Sequence, residues 1–111
     1  MSNIYKYRFR FNAKHNTSFE VENIHVHTFE VVCYVKQEEL NYNLVENQIK
    51  EYLKQFQGSY LNEKMDEIPI IENIAMKFYK DINLLAKEFH LFRLELSDKP
   101  IQTYIILEED V

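Results

Sequence analysis

A chain of 111 residues is the size of one domain, and 46% apolar residues with eight Phe, eight Tyr, one Gly and two Pro describe a packed core and exclude a disordered segment. The formal charge of -5 comes with no basic block able to neutralise a run of phosphates, so nucleic acid is excluded as the expected partner. Cys33 is the only cysteine, which rules out an intrachain disulfide, and with no long apolar run and no apolar leader the expectation is a soluble cytoplasmic protein with no membrane partner.

From Tyr5 to Phe11 the rings of Tyr5, Tyr7, Phe9 and Phe11 alternate with Lys6, Arg8 and Arg10, which puts all four rings on one face of a first strand. A polar stretch, Asn16 to Asn23, separates it from Ile24 to Val35, where β-branched and aromatic residues predict a second, longer strand. The two should pair as a long hairpin. Between Asn43 and Phe56 the period changes: Val45, Ile49, Tyr52, Leu53 and Phe56 recur at spacings of three and four, the buried stripe of a helix. Gly58 ends it, as the one residue free to take positive φ without a steric penalty. A second helix starts near Pro69 to Glu72 and carries Ile71, Ile74, Ala75, Phe78, Ile82, Leu85 and Phe89 on one side, with His90 as a cationic cap at its end. Phe92 to Leu96 and Thr103 to Leu107 read as strands joined by a turn containing Asp98, Lys99 and Pro100, and Glu108, Glu109 and Asp110 as a solvated tail. The predicted architecture is α+β, a four-stranded antiparallel sheet with two helices on one face, in one domain spanning 1–111.

His25 and His27, two apart in a strand, project from the same face and can converge on one metal ion, while His15 at the end of the first strand comes alongside if the hairpin closes. Taken alone, His-x-His leaves packed or exposed imidazoles as the other reading. The third histidine favours a metal. Three imidazoles with a vacant fourth position form the catalytic type of zinc site.

These residues resemble the 6-pyruvoyl-tetrahydropterin synthases and the related 6-carboxy-tetrahydropterin synthases of queuosine biosynthesis. Phe11-Asn12-Ala13-Lys14-His15 is similar to the family's Phe-x-Ala-x-His, and His25-Val26-His27 to its His-Gly-His. Pro69-Ile70-Ile71-Glu72-Asn73 resembles Pro-Thr-x-Glu-Asn, and Glu95-Leu96 the late Glu-Thr whose carboxylate accepts two parallel N–H bonds from a pterin. Asn41-Tyr42 and Tyr60-Leu61-Asn62 extend the likeness over nearly the whole chain. The resemblance implies the tunnelling (T-fold) architecture and Zn2+ held by His15, His25 and His27. It also implies a pterin or purine-like small molecule bound through Glu95 and Glu72, lyase chemistry, and self-assembly into a trimer or hexamer whose strands close a barrel.

Several positions depart from that pattern. Val21 stands where the carboxy-forming enzymes have their cysteine, and Cys33 does not substitute, because six residues of strand put it about 20 Å from His27. The Asp-His proton relay aligns with Gln57 and Gly58, neither of which shuttles protons near neutral pH. If the chain is an enzyme, the base would be Glu22, Glu72 or a residue from a neighbouring subunit. The competing reading is a non-catalytic paralogue that keeps the fold as a binding or assembly module.

Overall fold

The period-two alternation near the N-terminus forms β1 (Asn3–His15) and β2 (His25–Gln37), strands of 13 residues each. They pair antiparallel along their whole length, from Asn3 opposite Gln37 to His15 opposite His25, so the long hairpin forms as expected. The computed structural model describes residues 3–17, 24–38, 42–99 and 101–111, with the side chain of His25 outside the described set; Val21, Glu22, Asn41 and Pro100 also lie outside it.

The period-3.6 segments become α1 (Tyr42–Lys54) and α2 (Ile71–Leu85). Val45, Ile49, Tyr52 and Leu53 are the buried stripe of α1, and Ile74, Ala75, Phe78, Tyr79 and Ile82 that of α2. The chain then returns as β3 (Phe89–Lys99) and β4 (Gln102–Leu107), completing an antiparallel sheet in the order β1-β2-β3-β4. Among the described residues, no helix is long and apolar enough to cross a membrane.

The sheet buries its odd-numbered face on β1 and β2 under the helices: Phe11, Phe29, Val31, Cys33 and Val35 are all at or below 4% exposure. Phe11 stacks on Phe29 at 5.1 Å between ring centroids, and Phe78 from α2 meets Phe56 at 4.9 Å and the edge of Phe11 at 5.7 Å. This aromatic seam welds sheet to helices, since such contacts add to the burial of large ring areas. Tyr5, Tyr7 and Phe9 stack in sequence along the same strand face, as the alternation predicts.

Three expectations are corrected. His90 does not cap α2: the helix ends at Leu85, and Phe89 and His90 open β3, where His90 pairs with Glu108. Phe89 buries as a strand residue, while Leu85 is 51% exposed, because the helical stripe stops one turn earlier than its apolar pattern. Asp98 and Lys99 belong to β3 and not to a turn, since a one-residue shift between Leu96 and Lys99 lets pairing continue to Lys99 opposite Gln102.

Candidate metal centre and ligand pocket

His15, the last residue of β1, is held by two neighbouring segments. Its Nδ1 lies 2.9 Å from the Pro69 carbonyl oxygen, which can only accept, so Nδ1 carries the proton. In the neutral ring Nε2 is then the nitrogen with a lone pair, the arrangement in which a backbone carbonyl orients a metal-binding imidazole. Just beyond it, Asn62 closes on the backbone of Asn16 from both sides: the Asn16 N–H donates to Asn62 Oδ1 and Asn62 Nδ2 donates to the Asn16 carbonyl, each at 2.9 Å. His15 is 3% exposed as a result.

His27 shares the face of His15, as the even spacing along β2 and the register require. The two rings meet edge to face with centroids 4.9 Å apart. The backbone of His25 lies directly opposite His15.

Asp98 is a third group at this place, one that the sequence reading assigns to a turn. Leu94 and Leu96 on β3 are fully buried, so Asp98, two residues further along the same face, brings a carboxylate to the end of the sheet where the histidines stand. The parity with Leu94 and Leu96 is the signal that would have found it. Its Oδ2 is 3.6 Å from His27 Nδ1, with the side chains 17% and 22% exposed respectively. One donor atom from each of His15, His27 and Asp98 falls within 4.8 Å of the others.

The cluster opens into a cavity of ≈ 410 Å3 lined by His15, Thr17, Ile70, Ile71, Glu72, Asp98, Lys99, Gln102, Thr103 and Tyr104. Glu72 stands there in the exposed first turn of α2. Glu95 does not. It pairs with Val32 and Ile105 on the opposite face of the sheet, where its carboxylate accepts hydrogen bonds from the Tyr34 hydroxyl at 3.0 Å and Arg93 Nη2 at 2.8 Å.

The family signature described as 6-pyruvoyl tetrahydropterin synthase matches residues 4–109, from the second residue of β1 into the segment that follows β4. The chain belongs to the 6-pyruvoyl tetrahydropterin synthase family. No curated protein matches it. Membership agrees with the four-stranded sheet carrying two helices and with a function of the pterin-synthase type.

Gln57 and Gly58 serve the sheet. Gln57 Oε1 accepts from the Asn12 N–H at 3.0 Å, and the Gly58 N–H donates to the Asn12 carbonyl at 2.6 Å. Cys33 is fully buried in the core, and burial pushes its thiol up to about 12.

Proposed function

We propose that this chain is a zinc-binding pterin-synthase-like protein that takes a flat, donor-rich ring of the pterin or purine kind into the cavity beside His15. The observation that carries the reading is that the metal-type cluster and the cavity share His15 and Asp98. The donor set suits zinc: two imidazoles and a carboxylate are its usual nitrogen and oxygen ligands, and His15 already has its second nitrogen committed to a carbonyl. His15, His25 and His27 would hold the ion, which supplies Lewis acidity toward a ligand oxygen. Glu72 would accept N–H bonds from the ring, and Tyr104 offers it an aromatic wall. Glu95, on the far face of the sheet, would reach a ligand only in a site shared with a second copy.

One specific observation favours a binding role over turnover. Gln57 and Gly58 are spent on the edge of β1 at Asn12, and Cys33 is sealed in the core, so none of these three supplies an acid or base to the cavity.

Self-assembly into a trimer or hexamer with a closed barrel is part of the same proposal. Its support is that β1 and β4 are both sheet edges of opposite character. The β1 edge flanks a basic groove of ≈ 620 Å3 containing Lys6, Arg8, Arg10, Lys50 and Lys54, whereas β4 runs into Glu108, Glu109 and Asp110. Edge strands with exposed backbone groups call for cover, and opposite charge selects the register.

The test is metal content by mass spectrometry on protein purified without chelator, beside a His15→Ala, His27→Ala variant, followed by calorimetric titration of a dihydropterin. The expected result is near-stoichiometric zinc, lost in the variant, and pterin binding weakened by Glu72→Gln. Folded wild-type protein that is metal-free and does not bind the pterin would leave only the fold.

A further inference from the structure

We propose that Asp98 is itself a ligand of the metal, so that the centre is closed by four protein side chains and does not keep an open position. This rests on the zinc reading above and changes what that zinc can do.

The spacing argues for it. His27 Nδ1 and Asp98 Oδ2 are 3.6 Å apart, beyond the roughly 2.7–3.2 Å of an N–H···O hydrogen bond. Two ligands of one tetrahedral zinc ion, each bonded at about 2.0–2.1 Å, stand about 3.3–3.4 Å from one another. The observed separation is therefore too long for a direct bond and close to that of two atoms sharing a cation. His15 brings a third donor atom within 4.8 Å of both. Its ring has only one nitrogen to offer, because the other is turned to Pro69.

Burial supplies the second argument. The inner face of β3 runs Leu94, Leu96, Asp98, so a carboxyl group follows on two fully buried aliphatic side chains and is itself only 17% exposed. A largely desolvated carboxylate needs a compensating charge or a metal. The histidines bring nitrogen donors to it from β1 and β2, and no lysine or arginine ion pair to Asp98 exists among the described residues. A cation at the meeting point of the three strands balances the carboxylate and crosslinks β1, β2 and β3.

A closed four-ligand site is the structural type of zinc site, whereas catalytic sites keep one position for substrate. With Asp98 in that position, the ring bound in the cavity would lie beside the metal without ligating it. The loss of the thiol and of the proton relay is then one change with the loss of the open position.

Cobalt substitution tests this, since the visible absorption of Co2+ reports its coordination. We expect wild-type protein to bind one Co2+ with an intense four-coordinate spectrum that excess azide leaves unchanged. Asp98→Ala should bind Co2+ at least about ten-fold more weakly and acquire a spectrum that azide perturbs. Azide perturbing the wild-type spectrum would overturn the proposal while leaving the metal reading intact, and needs no variant to fold. Equal affinity and an unchanged spectrum in Asp98→Ala would also overturn it. Failure of the wild type to bind Co2+ would overturn this inference and the zinc reading together.

Discussion

Gly58 sits at φ +70, and a methyl group added to it would meet nothing within 4 Å. The cost of a side chain there is therefore backbone strain alone, about 1 kcal/mol for alanine, less for asparagine, whose side chain tolerates the left-handed region. Urea denaturation should show Gly58→Ala destabilised by about that amount and Gly58→Asn by less. Cys33 gives a prediction of opposite kind. Its thiol, fully buried, is pushed from an ordinary 9.0 up to about 12, so the folded state holds the proton more tightly than the unfolded chain does. The associated stability is complete below pH 9.0 and is lost as the pH rises toward about 12. Cys33→Ala should flatten the alkaline limb of a plot of stability against pH, and in the native wild type a disulfide reagent at pH 8 should find no reactive thiol until denaturant is added.

At the scale of elements, α1 and α2 are joined by a part-buried polar contact as well as by rings. Tyr52 donates its hydroxyl to Asp81, which also pairs with Lys77 at 3.1 Å one turn back along α2. Tyr52→Phe keeps the ring against Phe56 and Phe78, so only the hydrogen bond is lost, and a bond to a charged acceptor is worth about 1.5–3 kcal/mol before Lys77 compensates. A loss of about 1 kcal/mol in thermal or urea unfolding is expected, against about 3–5 kcal/mol for Phe78→Ala, which empties the centre of the aromatic seam. The segment after α1 acts on β1 in a different way. Gly58 and Ser59 exchange backbone bonds with Asn12 and Lys14, and Tyr60 forms an isolated bridge to Lys14, so the edge of β1 is covered just where it leads to His15. The rest of that edge, carrying Lys6, Arg8 and Arg10, lies along the basic groove.

For the whole molecule, the two edge strands of the sheet lead to an expectation about assembly. If copies join β1 to β4, sedimentation should show a species larger than a monomer that loosens as salt rises, because partly exposed charge pairs are screened. Arg8→Glu with Arg10→Glu should shift it toward monomer. These arginines already contact Glu30 within the chain, Arg10 Nε at 3.0 Å and Arg8 Nε at 3.6 Å, so Glu30→Gln serves as the control for disturbing that pair alone. An unchanged sedimentation profile in the double variant would show that the basic edge takes no part in assembly.

The periodicities alone determined the order of elements, the hairpin of β1 with β2 and the faces of both helices, because each depends on which side of a repeating backbone an apolar group points. They also brought His15 and His27 to one end of one face, since register in a hairpin follows from strand parity. Tertiary structure alone decided the limits of α2 and β3: the apolar residues Leu85 and Phe89 suit either period, and only packing against the sheet ends the helix at Leu85 and makes Phe89 a strand residue. It likewise decided the fate of the carboxylates. A shift of one residue in the pairing of β3 with β4 carries Asp98 into the strand beside His27, while Glu95, one position out of phase with Leu94 and Leu96, turns to the other face and to Arg93. Parity along β3 gives each acid its face, but that Asp98 remains in the strand and meets the histidines is set by pairing between strands distant in sequence, which no local pattern encodes.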